Sequence, residues 1–230
     1  MVARWTLRGH AWQAPRPRLE RARYIAIEGP MGAGKTALAQ LLVERMGGRL
    51  VADPVDANPF LPAFHEDRRK HAFQAQVFAL LARWQQQQGL YQQDLFGQVT
   101  VADYLFAKDR IFATLNLSPE EHSLYEAIHA LVGARTVKPD LVVYLQARRE
   151  VLLARLRRRP RAHERHVDPD YLAAVAQAYN EFFFHYEATP LLVVNTSDVD
   201  LAASPVEADA LVAEIRRHRK GTAHYNPTGR

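Results

Sequence analysis

A glycine-rich loop is the part of the sequence with the clearest chemistry. The run from Gly29 to Thr36 fits the G-x-x-x-x-G-K-[ST] pattern for phosphate binding in full. Its glycines let backbone N–H groups approach phosphate oxygens, Lys35 supplies a cation for the β- and γ-phosphates, and the Thr36 hydroxyl can bind Mg²⁺. The pattern predicts a nucleoside triphosphate site formed by Gly29, Pro30, Met31, Gly32, Ala33, Gly34, Lys35 and Thr36.

The elements on either side of this loop must hold it in place. The run from Tyr24 to Ile27 is short and apolar, as is typical of a buried parallel strand. The residues after Thr36 have the pattern of a helix, whose positive N-terminus would face the phosphates. Four further apolar runs, separated by helical patterns, are predicted strands near residues 49–52, 98–102, 140–145 and 190–195. This alternation predicts an α/β fold with a five-stranded parallel sheet flanked by helices.

Two carboxylates follow neighbouring apolar runs at the point where each predicted strand ends. Asp53 comes after the second strand and Asp103 after the third. Because ligands bind at the carboxyl ends of parallel strands, we expect both side chains beside the phosphate loop. One could accept the proton of an acceptor hydroxyl while the other, with Thr36, holds the metal; the sequence leaves both assignments open. The alternative is that both are turn residues at strand ends.

A cluster of arginines follows the fourth predicted strand. Arg155 and Arg159 are four residues apart and share one helix face, and Arg161 follows a break at Pro160. The spacing predicts an arginine-rich lid that closes over the triphosphate, with Arg155 as a cation for the charge that develops in transfer. The alternative is a solvated basic helix face.

Taken together and in order, these blocks resemble the deoxynucleoside kinases, of the bacterial deoxyadenosine/deoxyguanosine kinase type. The resemblance spans roughly Tyr24 to Val194. Besides the phosphate loop and the lid, it rests on Asp53-Pro54-Val55, Asn58-Pro59-Phe60-Leu61, Phe64-His65-Glu66-Asp67, Ala72-Phe73-Gln74-Ala75-Gln76, Arg83, the run from Asp103 to Ala113 and the run from Pro139 to Ala147. It implies a P-loop kinase fold with ATP as phosphoryl donor, Mg²⁺, and transfer to the 5′-hydroxyl of a deoxynucleoside, deoxyguanosine or deoxyadenosine.

The resemblance also implies roles for residues around the acceptor. Asp53 matches the acid that serves as base for the 5′-hydroxyl, where the family more often has glutamate. Asp103 matches an acid near the metal. Tyr104 follows it where the family usually has arginine, so that cation is either absent or comes from the lid. The other implied substrate contacts are His65 and Glu164 at the sugar 3′-hydroxyl, and Gln76, Arg83, Phe112 and Asp109 around the base, with Lys108 replacing Asp109 if the alignment shifts by one residue.

Length and composition indicate one domain. With 230 residues, we predict a kinase domain over 23–217, a disordered basic extension over 1–22 and a C-terminal tail over 218–230. The chain has no cysteine, which excludes disulfides and thiolate metal sites and suits a cytoplasmic enzyme. No apolar run approaches the ~20 residues of a membrane span, so no membrane partner is expected. The apolar stripe of a long predicted helix after residue 68 suits a homodimer.

Two other functions are compatible with a phosphate loop. A thymidylate-like kinase would phosphorylate a nucleoside monophosphate, which should require another basic residue near Asp53, and residues 53–57 contain none. A nucleotide-dependent switch or nucleic-acid ATPase would account for the net charge of +5. The pattern lacks the second metal-binding acid pair of such proteins, so a nucleic-acid partner is not expected.

Overall fold

A parallel sheet of six strands forms the centre of the computed structural model, which describes residues 24–93, 98–133, 136–158, 167–201 and 203–227. The strands are β1 (Tyr24–Glu28), β2 (Arg49–Val51), β3 (Thr100–Ala102), β4 (Leu141–Gln146), β5 (Leu191–Asn195) and β6 (Thr222–Tyr225). Across the sheet they lie in the order β2-β3-β1-β4-β5-β6, and all neighbours are parallel. The predicted α/β class is confirmed.

The number of strands corrects the prediction of five. The sixth strand comes from the segment 218–230, for which a tail is predicted, and its residues Thr222–Tyr225 pair with β5. These residues alternate between exposed and half-buried, so they form no continuous apolar run. A short edge strand of this kind leaves no clear pattern in a sequence.

Helices cover both faces of the sheet. They are α1 (Lys35–Met46), α2 (Leu61–Glu66), α3 (Arg68–Gln93), α4 (Asp109–Asn116), α5 (Pro119–Gly133), α6 (Arg149–Arg158), α7 (Pro169–Phe184) and α8 (Pro205–Arg217), with 3₁₀ turns at Pro54–Ala57 and Phe106–Lys108. Successive strand residues point to opposite faces. Ile25 therefore joins a core with Leu38 of α1 and Leu211 of α8, whereas Ala26 joins one with Tyr179 of α7.

The long helix α3 lies outside this layer and contacts α2, α4 and α5. Three of its polar side chains, those of Gln76, Arg83 and Gln87, are buried. Buried polar groups of this size require hydrogen-bond partners, and the position of α3 brings these three within reach of the strand ends. The helix therefore forms one wall of the site described below.

Some predicted features fall outside the described residues. These are the basic extension over 1–22 and the lid residues Arg159, Arg161 and Glu164. Within the described part of the chain, every helix is too short or too polar to cross a lipid bilayer.

Candidate active site

The phosphate loop connects β1 to α1 and requires glycine at several positions. Gly32 and Gly34 have φ angles of 83° and 100°, in the left-handed region that other residues rarely adopt. A Cβ atom on Gly29 would lie 2.5 Å from the carbonyl oxygen of Leu145, and one on Gly32 would lie 2.8 Å from that of Leu152. The loop therefore packs directly against β4 and α6, and side chains at these glycines would displace it.

Lys35 begins α1 and turns back over the loop. Its Nζ donates hydrogen bonds to the carbonyl oxygens of Gly29 at 2.7 Å and of Pro30 at 3.2 Å. Burial lowers the pKa of Lys35. Both hydrogen-bond partners of this buried ammonium in the described ranges are neutral carbonyls, so it is well prepared to receive a phosphate anion.

Asp103 links the phosphate loop to the end of β3. Its carboxylate accepts hydrogen bonds from the Thr36 hydroxyl at 2.7 Å and from the backbone N–H of Asp53 at 2.6 Å. A hydroxyl and a carboxylate are oxygen ligands of the kind that Mg²⁺ prefers, and Mg²⁺ commonly takes its other ligands from phosphates and water. Thr36 and Asp103 therefore fit the predicted metal site. Elsewhere among the residues that the structure describes, no cluster of three or more acidic, histidine or cysteine side chains could hold a metal.

Asp53 is held between two cations at the end of β2. Arg83 donates two hydrogen bonds to its carboxylate, through Nε at 2.9 Å and Nη2 at 3.0 Å, and Lys108 donates a third. Burial favours a raised pKa for Asp53, but the charges of Arg83 and Lys108 outweigh burial and hold this pKa well below its usual range. The Asp53 carboxylate is therefore ionised at neutral pH and can accept a hydrogen bond from an acceptor hydroxyl.

The remaining guanidinium nitrogen of Arg83, Nη1, binds a second acid, Asp109, at the start of α4. Arg83 Nη1 lies 2.5 Å from Asp109 Oδ1, and Gln76 Nε2 donates to the Asp109 carbonyl oxygen at 2.8 Å and to Oδ1 at 3.2 Å. Burial raises the pKa of Asp109 to about 6 despite the nearby charge of Arg83. Oδ2 of Asp109 is buried and has no hydrogen-bond partner among the described residues. An unpaired buried oxygen costs about 1–3 kcal/mol, which a ligand N–H could offset.

Most predicted site residues line one cavity beside the phosphate loop. Its walls include the apolar side chains of Phe64, Phe112 and Tyr171. Phe112 also packs edge-on against Tyr179 at 6.1 Å between ring centroids, so it belongs to both the cavity and the core. The other predicted residues that line this cavity are Gly29, Met31, Gly32, Gly34, Lys35, Thr36, Asp53, His65, Gln76, Arg83, Asp103 and Asp109.

Two predicted site residues, Tyr104 and Arg155, do not line this cavity. Tyr104, predicted to contact substrate, is fully buried beneath Arg83, and its hydroxyl accepts a hydrogen bond from Gln87 at 3.3 Å. Arg155, predicted to be a catalytic cation, donates to the carbonyl oxygens of Thr196 at 2.7 Å and Val199 at 2.8 Å. It therefore faces the loop after β5 and lines a second cavity beside the phosphate loop, with Gly32 and Gly34.

The structure adds Lys108 to the site. Lys108 is predicted at the base only if the alignment shifts by one residue, yet it lines the cavity together with Asp109 and contacts Asp53. The 3₁₀ turn Phe106–Lys108 ends at Lys108 and is followed directly by Asp109, the first residue of α4, and both side chains line the cavity. A short turn inside an otherwise helical pattern is difficult to recognise in the sequence.

Asp53 and Asp103 line the same cavity as the phosphate loop, an arrangement suited to a P-loop kinase that phosphorylates a small acceptor. A sequence model of the deoxynucleoside kinase family matches residues 25–219, and the chain belongs to this family. It is therefore a phosphotransferase whose acceptor is an alcohol group, which confirms the predicted enzyme class.

Individual relatives agree with this assignment. The deoxyguanosine kinase of Bacillus subtilis is 35% identical over 181 residues, which cover 78% of this chain and 87% of the relative. The deoxyadenosine kinase of Lactobacillus acidophilus is 27% identical, over 83% of this chain and 94% of that one. A deoxyadenosine kinase of M. mycoides with bound dATP has the same fold, with a TM-score of 0.73 and 22% identity over 84% of this chain and 98% of its own. Neither alternative function is favoured by these matches.

Proposed function

We propose that this kinase transfers the γ-phosphoryl group of ATP to the 5′-hydroxyl of a purine deoxynucleoside, deoxyguanosine or deoxyadenosine. The observation that carries the proposal is the single cavity that contains both the phosphate loop and the Gln76–Arg83–Asp109 cluster. One end suits a triphosphate, and the other presents paired hydrogen-bonding groups to the edge of a base. The names of the relatives support a purine.

In the proposed reaction, each group near the phosphate loop has a distinct role. The loop N–H groups and Lys35 bind the β- and γ-phosphates, and Asp53 accepts the hydrogen bond of the 5′-hydroxyl. As the bond from the 5′-oxygen to phosphorus forms and the bond to the β-phosphate oxygen breaks, Asp53 takes the proton. Mg²⁺, held by Thr36 and Asp103, would neutralise charge on the phosphates.

An assay of acceptors tests this function directly. With ATP as donor, we expect deoxyguanosine or deoxyadenosine to be phosphorylated with a higher kcat/KM than deoxycytidine or thymidine. Thymidine monophosphate should be inactive, because its 5′-oxygen already carries a phosphate, which offers Asp53 no hydroxyl proton and would bring a second anion against its carboxylate. A faster reaction with the monophosphate, or transfer to none of the deoxynucleosides, contradicts the proposal.

The use of the deoxynucleoside is expected to depend on the ionisation of Asp109. Its pKa of about 6 means that the carboxylate gains a proton as the pH falls through this value. Arg83 keeps its positive charge in this range and Asp53 stays ionised, so we assign the pH dependence to Asp109. Because a proton on Oδ2 would make this oxygen a donor towards a base N–H instead of an acceptor, kcat/KM should fall about tenfold for each pH unit below about 6 and level off above it.

A pH profile of kcat/KM for the deoxynucleoside, from about pH 5 to pH 8, measures this effect. Asp109→Asn should remove the inflection, because its amide does not titrate. His65 is a histidine that lines the same cavity, so His65→Asn is the matched control and should keep the inflection, whatever its effect on the rate. An inflection that survives in Asp109→Asn contradicts the assignment.

We further propose that the enzyme requires Mg²⁺, forms a homodimer and is cytoplasmic. Leu81 of α3 and Leu124 and Leu131 of α5 leave apolar side chains exposed on neighbouring helices, which a second copy could cover. The absence of cysteine suits a reducing compartment. Loss of activity after chelation tests the Mg²⁺ requirement, and cell fractionation tests the location. Sedimentation equilibrium tests the dimer, and its loss in Leu131→Glu would locate the interface.

A further inference from the structure

Lys108 is a buried cation at the acceptor side of the cavity, and the reaction proposed above gives it no part in the chemistry. Its side chain is only 6% exposed, although it lines the same cavity as Lys35 and Thr36. Burying a charged ammonium is costly unless strong partners compensate. The partners of Lys108 therefore indicate whether it serves the fold or the reaction.

Asp53 is the only hydrogen-bond partner of the Lys108 ammonium in the described part of the chain. The remaining contact is weak: Nζ lies 6.0 Å from the ring centroid of Tyr104. An ammonium has three N–H donors, so the contact with Asp53 leaves two of them without an acceptor. Since Lys108 lines the cavity, a bound molecule can supply one.

Asp53 does not need Lys108 to stay ionised and in place. Arg83 already holds its carboxylate through two hydrogen bonds and is itself fixed by Asp109. A bidentate guanidinium is rigid, whereas lysine is a point charge on a flexible stem that can exchange partners by small rotations. Of the two cations on Asp53, Lys108 is therefore the one able to move to a reacting group.

The reaction itself would release Lys108. When Asp53 takes the proton of the 5′-hydroxyl it becomes neutral, and the ammonium loses its anionic partner inside a buried site. At the same moment, the transferred phosphoryl group between the 5′-oxygen and the β-phosphate carries negative charge on its non-bridging oxygens. One cation can therefore stabilise the carboxylate before transfer and the phosphoryl oxygens during it.

We propose that Lys108 is a catalytic residue, whose ammonium binds a non-bridging oxygen of the phosphoryl group as that group passes to the acceptor. This inference rests on the proposed function, in which Asp53 accepts the 5′-hydroxyl proton. Lys108 also supplies a cation on the acceptor side of the cavity, where Tyr104 is buried beneath Arg83 and Arg155 faces the loop after β5. No bond to Lys108 is made or broken.

The first test is Lys108→Met, which removes the charge and keeps an unbranched side chain of similar length. We expect kcat to fall about 10²-fold while KM for the deoxynucleoside changes little, because the lost contact exists only during transfer. Arg110→Met is the control, since Arg110 is an exposed cation two residues away that pairs with Glu126 on the surface. It should leave kcat unchanged. A kcat of Lys108→Met close to that of the control overturns the proposal.

A double variant separates contact with the phosphoryl group from mere support of Asp53. If Lys108 acts only through Asp53, then Lys108→Met has no further effect once Asp53→Asn is present. If it binds the phosphoryl group, the double variant should be at least about tenfold slower than Asp53→Asn alone. Single-turnover rates at saturating ATP and deoxynucleoside give the comparison, and equal rates overturn the proposal.

The absence of native cysteine provides a test that does not depend on the folding of Lys108→Met. Lys108→Cys can be alkylated at this one thiol in denaturant with bromoethylamine or with iodoacetamide, and then refolded. The first product carries an ammonium and the second a neutral amide of similar length. Only the ammonium form should recover activity, and equal activities overturn the inference. If the unmodified protein phosphorylates no deoxynucleoside in this assay, the proposed function fails instead.

Discussion

Lys35→Ala is expected to reduce phosphoryl transfer about 10³-fold, because it removes the cation that the phosphate loop holds for the β- and γ-phosphates. The hydrogen bonds that Lys35 makes to the Gly29 and Pro30 carbonyls do not connect separate elements of the fold. Water can replace these bonds, so the melting temperature should stay close to that of the unmodified protein. The substitution is therefore expected to lower the rate of phosphoryl transfer without lowering the stability of the fold.

The measurement is the single-turnover rate at saturating ATP, with circular dichroism melting on the same samples. Arg45→Ala is the matched control: Arg45 belongs to the same helix α1, but its side chain pairs with Asp209 on the surface. That variant should lose no activity. A turnover of Lys35→Ala near that of the control would exclude Lys35 from the reaction and with it the assignment of the loop.

The parts of the fold that follow local patterns could be predicted from the sequence. The order of β1, glycine-rich loop and α1 follows from residues that are adjacent in the sequence. Glycines mark the loop, because its close packing against Leu145 and Leu152 leaves no room for a side chain. The position of Asp53 and Asp103 follows from topology, since parallel strands end at one edge of the sheet. The structure accordingly brings both residues to the loop, where the backbone N–H of Asp53 donates to the Asp103 carboxylate.

Contacts made across the fold could not be predicted in the same way. Arg83 and Asp109 are separated by 26 positions, and only the packing of α3 on α4 brings them together. The same limit applies to Arg155, because its spacing from Arg159 is compatible with many directions of its side chain. In the structure, the carbonyl groups of the loop after β5 determine this direction. Lys108 illustrates the remaining case, because it reaches the cavity from the end of a single 3₁₀ turn, Phe106–Lys108.

The largest effect at the acceptor side is expected from Asp53→Asn. This change preserves the shape of the side chain and removes the proton acceptor, so kcat should fall about 10²–10⁴-fold. The charges of Arg83 and Lys108 make Asp53 a weak base, since they hold its pKa below the usual range. A weak base is sufficient here, because the loose transition state of phosphoryl transfer demands little activation of the hydroxyl. Asp53→Glu restores the family's commoner residue and should retain more activity than Asp53→Asn.

Asp103→Asn provides the comparison that separates base from metal ligand. Asp103 accepts from the Thr36 hydroxyl and the Asp53 N–H, which places it beside Thr36, the other proposed metal ligand. Its asparagine variant should therefore require more Mg²⁺ and recover part of its rate as Mg²⁺ is raised. Asp53→Asn should stay slow at every Mg²⁺ concentration while its affinity for ATP is unchanged. If Asp53→Asn remains fast and Asp103→Asn cannot be rescued by Mg²⁺, the two roles are reversed and Asp103 is the base.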